Sequence, residues 1–200
     1  MKDVKWSTDL GDTSDSDSDE ENKVEASHNR IYFYSEVKRS KVLVLNKYIR
    51  NLNVSALNAA TSYSSDPQSR SIYLHINSYG GSVFAGLAAL DYIRNSQIPV
   101  CSIVDGCAAS AATLMSIVAK ERAMHHHSFM LIHQISSGMW GKYEELKDDM
   151  KNNEILMKTI KNIYQEYANI PKTKLDSILK HDLWFDAKTC LKYGLVDYII

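Results

Sequence analysis

The sequence predicts an α/β fold with a largely parallel sheet. The first observation is that short, β-branched apolar runs alternate with helical segments, which is typical of parallel sheets. Strands are predicted over 71–77, 100–106 and 129–132, and helices over 82–95 and 111–119. The second observation is that turns of small residues, 77–83 and 106–112, directly follow two of these strands. The third is size, since 200 residues with 44% hydrophobic side chains can form the core of one domain.

Composition argues against several classes of function. The net charge of −1 gives no indication of binding to nucleic acid or to an anionic membrane. No apolar run approaches the roughly 18–20 residues that a membrane span needs, and the first residues do not form a secretory signal. The three cysteines, Cys101, Cys107 and Cys190, contain no CxxC pair. We therefore expect a reducing, cytoplasmic location.

Residues 1–28 differ in composition from the rest of the chain. Asp, Glu, Ser and Thr dominate 9–21, and such a segment buries too little apolar surface to offset its chain entropy. We expect residues 1–28 to be a disordered acidic segment and residues 29–200 to form the folded domain. The segment is either a solvated tail or an acidic arm used for interaction or phosphorylation.

One strand and one helix are predicted between this segment and the strand over 71–77. The apolar run Val42–Asn46 is short and β-branched, which favours a buried strand. An amphipathic helix is predicted over Leu52–Tyr63, and the residues 64–67, which include a proline, are expected to end it.

The last third of the chain is predicted to be mainly helical. A long helix over Tyr143–Tyr167 would span about 40 Å, so we expect it to project from the domain or to pack on another subunit. A short helix over 172–180 and a short strand over 182–185 follow. Asp186 is expected to cap a last helix that Gly194 closes, before a final strand over 195–200.

Ser110 and His133 are the candidate catalytic pair. Ser110 lies on a strand-to-helix turn and His133 at the end of a later strand. A serine needs a base to take its proton, and a helix N-terminus favours a developing oxyanion. The alternative is that Ser110 only caps the helix.

A third residue would have to hold the imidazole. The sequence offers four downstream carboxylates for that role: Asp176, Asp182, Asp186 and Asp197. Asp182 is favoured because it lies at a loop-to-strand junction, whereas Asp186 has a capping role and Asp176 lies within a helix.

Other motifs with chemical potential are weaker. His125, His126 and His127 form a run, but at most two of them share a face of a strand, and no Cys or carboxylate has metal-ligand spacing nearby. We therefore expect surface histidines on a strand and no metal site. The glycine turn over 77–83 has neither the phosphate-loop spacing nor the dinucleotide spacing.

Five motifs, in order, resemble those of the ClpP family, the peptidase subunits of the ATP-dependent Clp protease. They are NSYGGSV at 77–83, GCAASAA at 106–112, LIHQ at 131–134, HDLWFDA at 181–187 and YGLVD at 193–197. The resemblance extends from about residue 31 to the end of the chain.

The resemblance implies roles for particular residues. Ser110 would be the nucleophile, His133 the general base and Asp182 the residue that holds His133. The backbone N–H groups of Gly81 and Ala111 would form the oxyanion hole.

The resemblance also implies the architecture of the assembly. The fold would be a ClpP/crotonase-like spiral of β-β-α units, and 14 chains would form two stacked seven-membered rings joined by the helix over 143–167. Unfolded polypeptide would be cut to short peptides inside. The chain would carry no cofactor, since a separate AAA+ unfoldase would use the ATP.

Several residues depart from the family's usual pattern. Tyr79 and Ile135 replace prolines, and Ala111-Ala112 replaces Met-Gly. His75 and Asp105 stand at usually apolar positions where the family docks its unfoldase. Three alternatives therefore stand beside the peptidase hypothesis: a catalytically silent ring subunit, a crotonase-type acyl-CoA enzyme, and a viral maturation protease that acts without ATP.

Overall fold

The computed structural model describes residues 23–63, 66 and 70–200. Within them, strands and helices alternate along the chain, which confirms the α/β class. The elements are β1 Lys23–Ser27, β2 Arg30–Tyr34, α1 Arg39–Tyr63, β3 Ile72–Ser78, α2 Val83–Arg94, β4 Val100–Ala109, α3 Ala111–Ile117, β5 Glu121–Met124, β6 Phe129–Leu131, α4 Tyr143–Tyr167, α5 Lys172–Ile178, β7 Trp184–Phe185, α6 Ala187–Lys192 and β8 Tyr198–Ile199.

One mixed sheet connects the strands in the order β1-β2-β3-β4-β5-β8. Pairing is parallel from β2 to β8, whereas β1 is antiparallel to β2. The long strand β4 has two successive neighbours on one side: Cys101–Val104 pair with β5, and Cys107–Ala109 pair with β6. The strand β6 also pairs with β7 in antiparallel fashion. This change of neighbour brings the end of β6 beside the end of β4.

The hydrophobic core lies on one face of the sheet. Alternate side chains of each strand point to that face. Ile31 and Phe33 of β2 and Leu74 of β3 are fully buried and belong to the same core cluster as residues of α1, α2 and α3. On the opposite face, Tyr32 lies across from His75 in the β2–β3 register. None of the helices in the described part of the chain combines the length and apolar character needed to cross a bilayer.

The strand predicted over Val42–Asn46 is wrong, because these residues lie in the first half of α1. Val42, Leu45 and Ile49 are buried at spacings of three and four residues, whereas Leu43 is 71% exposed. A five-residue apolar run cannot distinguish a strand from a buried helical turn, and the 3.6-residue period emerges only over the longer window. The helix predicted over Leu52–Tyr63 is therefore the second half of a longer helix.

The predicted boundary between the acidic segment and the domain also needs correction. Residues 23–28 are part of the fold, because β1 pairs with β2 along its whole length, from Lys23 opposite Tyr34 to Ser27 opposite Arg30. Backbone hydrogen bonds of this ladder do not require apolar side chains, so composition did not indicate the strand. Residues 1–22, on which the rest of the disorder prediction falls, lie outside the described residues.

The C-terminal elements follow the predicted order. The long helix has the predicted bounds, Tyr143–Tyr167, and most of its first half is exposed, whereas Ile160 and Tyr164 in its second half are buried. Asp186 caps α6 by accepting the N–H of Thr189 at 2.8 Å. The residue Gly194 follows that helix with φ +63°, as a C-terminal glycine should.

Arg122 on β5 joins three segments of the chain near its C-terminus. Its guanidinium donates to the carbonyl oxygens of Tyr167 at 2.7 Å and Gly194 at 2.9 Å, and it forms an ion pair with Asp197. Burial raises the pKa of Asp197, but the hydrogen bonds and charge of Arg122 outweigh burial and hold that pKa below its ordinary value. Folding is therefore coupled to ionisation of this carboxylate.

We expect the variant Asp197→Asn to lose less stability in acid than the wild type loses. A carboxyl whose folded pKa is depressed stabilises the protein above its unfolded pKa of about 4, and this stabilisation disappears as pH falls through the folded pKa. Thermal unfolding between about pH 6 and pH 3 measures the difference, with Asp149→Asn on the exposed side of α4 as the control. Identical pH dependence of Tm in wild type and Asp197→Asn would contradict the prediction.

Candidate active site

Ser110 occupies the turn between β4 and α3 in an unusual backbone conformation. Its φ is +57° and its ψ is −129°, in a region that non-glycine residues rarely adopt and that surrounding contacts must enforce. The Ser110 N–H donates to the carbonyl of Leu131 at 2.8 Å. Its own carbonyl accepts from the N–H of Thr113 at 3.0 Å and from the Thr113 hydroxyl at 2.6 Å. The turn is thus held on both sides of the serine.

The side chain of Ser110 does not cap α3. Its hydroxyl makes no capping hydrogen bond, and among the described residues it has no hydrogen-bond partner although it is fully buried. The alternative in which Ser110 serves only as an N-cap is therefore wrong. A buried hydroxyl without a protein partner is costly, which is more typical of a functional group than of a structural one.

The glycine turn after β3 packs directly against this serine. A Cβ at Gly80, which has φ +99°, would lie 2.6 Å from the Ser110 Cβ and 2.7 Å from the Ala109 carbonyl. A Cβ at Gly81 would lie 2.6 Å from the carbonyl of Val37. Both positions therefore require glycine, and the turn can approach the serine only because it has no side chains there.

The position of Val37 determines the direction of the Gly81 N–H. Val37 donates to the Gly80 carbonyl at 2.7 Å and accepts from Ser82 at 2.8 Å. In a trans peptide the C=O and the N–H point in opposite directions, so the Gly81 N–H points away from Val37. Ala111 is the first residue of α3, and the N–H groups of the first helical turn have no partner within the helix.

His133 and Asp182 meet across the continuation of the β6–β7 pair. Leu131 lies opposite Trp184 in this antiparallel ladder, so two residues further along β6 and two residues back along β7 bring 133 opposite 182. The His133 Nδ1 donates to the Asp182 Oδ1 at 2.6 Å. The imidazole is 3% exposed and the carboxylate 61% exposed. This bond assigns the proton of a neutral imidazole to Nδ1 and makes Nε2 its basic nitrogen.

The other three candidate carboxylates are engaged elsewhere. Asp176 pairs with Lys161 at 2.7 Å, Asp186 caps α6, and Asp197 pairs with Arg122. Of the four alternatives that the sequence left open, the structure places only Asp182 on His133.

The sheet brings the predicted residues together at one edge, where the carboxyl ends of β4 and β6 lie. Ala109 of β4 lies beside Leu131 of β6 in parallel register, so Ser110 and His133 follow the ends of neighbouring strands. Neighbouring strands are about 4.8 Å apart, which is within reach of side chains. Gly81 reaches the same edge through the turn after β3. The sequence did not indicate a role for Thr113, which bonds the Ser110 carbonyl from the adjoining helix, or for Tyr164, which bonds Thr113 from α4.

An aromatic groove of about 600 Å³ opens beside this edge. It is lined by Asn77, Tyr79, Gly106, Cys107, Phe129 and Trp184. The ring of Tyr79 contacts Trp184 edge to face, with centroids 6.3 Å apart, and Tyr79 is 65% exposed. Burial raises the pKa of the Cys107 thiol, so this cysteine is a poor nucleophile.

A second polar cluster lies on the sheet face opposite the core. His75 Nδ1 lies 2.8 Å from Asp105 Oδ2, which also accepts the Tyr34 hydroxyl at 2.7 Å, and Arg30 lies 2.8 Å from His75 Nε2. Burial raises the pKa of Asp105, but the hydrogen bonds from His75 and Tyr34 outweigh burial and lower it. His125 Nε2 lies 3.2 Å from the same carboxylate.

The histidine run does not lie on a strand, contrary to the prediction. His125, His126 and His127 are exposed in the turn between β5 and β6. The turn is closed by the Ser128 N–H, which bonds back to the His125 carbonyl at 3.0 Å. Across the described ranges, no group of three or more His, Cys, Asp or Glu side chains could hold a metal ion.

Comparisons with known proteins agree on one family. A family model described as Clp protease matches residues 25–200. The ATP-dependent Clp protease proteolytic subunit of Ostreococcus tauri is 31% identical over 173 residues, which are 84% of this chain and 86% of that protein. The subunit of the same name from Borrelia garinii subsp. bavariensis is 32% identical over 179 residues, which are 86% of this chain and 91% of that protein. A solved ClpP1 mutant from Listeria monocytogenes has the same fold, with a TM-score of 0.72 at 23% identity over 86% of this chain and 91% of that chain.

Proposed function

Because this chain belongs to the Clp protease family, we propose that it is a serine endopeptidase that hydrolyses unfolded polypeptides to short peptides. The resemblance indicated by the five sequence motifs is thereby confirmed at the level of the family. The observation that carries the proposal is the 2.6 Å hydrogen bond between His133 and Asp182, beside the strand end that presents the buried Ser110 hydroxyl.

The proposed reaction begins with attack of the Ser110 Oγ on the carbonyl carbon of the scissile peptide. His133 Nε2 takes the hydroxyl proton, and Asp182 holds the ring and stabilises the imidazolium that forms. The same proton is then given to the leaving amine, which leaves an ester on Ser110. Water, activated by His133, attacks this ester and releases the second product.

The N–H groups of Gly81 and Ala111 are the proposed donors to the oxyanion. The direction of the Gly81 N–H away from Val37 and the position of Ala111 at the start of α3 support this role. Each such donor typically stabilises the transition state by about 3 kcal/mol. The chain itself is proposed to use no cofactor.

We propose that the active form is a ring assembly, in the family's case two stacked rings of seven chains. Support comes from large apolar side chains exposed on and before the first half of α4: Trp140 at 89%, Tyr143 at 71%, Met150 at 49% and Ile155 at 63%. A group of exposed apolar side chains along one part of the chain is typical of an interface.

An ATP-dependent unfoldase is the proposed partner, since the relatives are named as subunits of an ATP-dependent protease. The resemblance implies that His75 and Asp105 occupy positions where the family docks its unfoldase on apolar side chains, and in this chain both belong to a polar cluster with Arg30 and Tyr34. A partner of this chain would accordingly have to match a polar and charged surface, because covering charged groups with apolar side chains is costly.

The first test is labelling by a fluorophosphonate probe, which reacts with activated serines. We expect wild-type protein to be labelled at Ser110, with peptide mapping to identify the site, and Ser110→Ala to lose the label because Ser110 is the serine that follows β4 beside the strand leading to His133. Ser116→Ala, which alters another buried hydroxyl of α3, is the matched control. Wild-type protein that is folded and unlabelled would instead favour a catalytically silent ring subunit.

The second test is the variant Asp182→Asn. We expect the assembly to remain intact and the peptidase rate to fall by about four orders of magnitude, since an amide in place of the carboxylate favours the wrong histidine tautomer. Hydrolysis of a fluorogenic peptide measures the rate, with Asp176→Asn as the control because Asp176 pairs with Lys161 instead. Turnover close to that of wild type would mean that Asp182 does not hold the base.

The third test is native mass spectrometry of the purified protein. We expect a mass of about 14 chains, and we expect Trp140→Ser combined with Tyr143→Ser to yield smaller particles, because both exposed rings would lose their apolar contacts. Leu43→Ser, at an exposed apolar residue of α1, is the control. A wild-type monomer with full activity would contradict the ring assembly.

A further inference from the structure

We propose that Thr113 and Tyr164 are positioning residues for Ser110, an inference that rests on the proposed serine peptidase function. The two residues form a buried chain of hydrogen bonds that ends on the Ser110 carbonyl. Thr113 Oγ1 lies 2.6 Å from that carbonyl oxygen and 2.5 Å from the hydroxyl of Tyr164. These hydrogen bonds connect Tyr164 of α4 to Thr113 in the first turn of α3, and the two residues are 51 positions apart in sequence.

Which hydroxyl donates in each of these hydrogen bonds follows from the number of protons available. A threonine hydroxyl has one proton, and Thr113 donates it to the Ser110 carbonyl. The Tyr164 hydroxyl must then be the donor to Thr113 Oγ1. Burial raises the pKa of Tyr164 far above its ordinary value, so the phenol keeps the proton that it donates. Both side chains are fully buried, where hydrogen bonds are stronger than in water.

A threonine in the first turn of a helix often bonds back to a carbonyl three residues earlier, so the Thr113 bond alone would be ordinary. What differs here is the second bond. Tyr164 fixes the rotation of the Thr113 hydroxyl, because the hydroxyl must accept from one side and donate to the other. The Ser110 carbonyl therefore has two fixed donors from Thr113, its N–H at 3.0 Å and its hydroxyl at 2.6 Å.

This arrangement has a consequence for the reaction because of peptide planarity. The carbonyl of Ser110 and the N–H of Ala111 belong to the same peptide unit, in which they point in opposite directions. Groups that hold the carbonyl therefore also aim the Ala111 N–H. That N–H is the proposed donor to the oxyanion. The preceding residue, Ser110, is held at φ +57°, a conformation that non-glycine residues disfavour.

The pair should therefore act on the transition state and not on substrate binding. An oxyanion donor that loses its aim lowers kcat and kcat/KM together and leaves KM nearly unchanged. A merely structural role would lower thermal stability and the amount of active protein, without changing the kcat of the molecules that remain folded.

The experiment compares Thr113→Val, Thr113→Ser, Tyr164→Phe and the double variant Thr113→Val/Tyr164→Phe. The fraction of active sites is measured by fluorophosphonate titration, kcat and KM with a fluorogenic peptide, and Tm by calorimetry. Ser102→Ala is the matched control, because Ser102 donates to the Ser116 carbonyl of the same helix at 3.0 Å without contacting Ser110.

We expect Thr113→Val to lower kcat per active site about tenfold with KM within about twofold, since displacements on the order of 1 Å can cost about 100-fold. Thr113→Ser should restore kcat because it keeps the hydroxyl. Thr113→Val also leaves the Tyr164 hydroxyl buried without an acceptor, so Tm should fall. The double variant removes that hydroxyl and should recover Tm while kcat stays low.

Recovery of kcat together with Tm in the double variant would overturn the positioning role and leave a structural one. A kcat for Thr113→Val within about twofold of wild type would overturn it as well, given that displaced groups cost much more. If Thr113→Val does not fold, Tyr164→Phe and the double variant decide. A kcat within about twofold of wild type in both of them would then overturn the positioning role. Failure of the proposed function itself is recognised separately, because wild-type protein would then neither be labelled at Ser110 nor cleave the peptide.

Discussion

The pairing of β4 with β6 is the interaction on which the site depends. The first half of β4 pairs with β5, and its last three residues pair with β6. The Ser110 N–H then continues that ladder by donating to the Leu131 carbonyl, which places the serine beside the strand that leads to His133. The other edge of β6 pairs with β7 and brings Asp182 to the same histidine. One three-residue strand thereby aligns three chain segments that are far apart in sequence.

Close packing around Ser110 explains why small residues surround it. Gly80 contacts the serine from one side, and Gly86 of α2 lies so close to Ala111 that a Cβ would meet the Ala111 carbonyl at 3.0 Å. Larger side chains at these positions would push the glycine turn and α2 away from the start of α3. The dense packing also holds Ser110 at its positive φ, because such a backbone conformation persists only where its surroundings leave no alternative.

The helix α4 has two different environments along its length. Its first half is mostly exposed and has large apolar side chains, whereas its last turns enter the core through Ile160 and Tyr164. Tyr164 then reaches the backbone of Ser110 through Thr113. The buried end is also held by Arg122 of β5, whose guanidinium donates to the Tyr167 carbonyl. The helix that exposes these apolar side chains is therefore connected by hydrogen bonds to the turn that contains Ser110.

The sequence by itself determined the α/β class, the bounds of α4, the cap and closing glycine of α6, and the candidates Ser110 and His133, because local patterns and short motifs carry that information. It could not distinguish helix from strand at Val42–Asn46, since a short apolar run fits either, nor place β1, whose ladder is made of backbone bonds. It also left four carboxylates open and gave no sign of Thr113 and Tyr164. Those choices depend on contacts between residues about 50 positions apart, and only the tertiary structure, through strand register and helix packing, decides which distant groups meet.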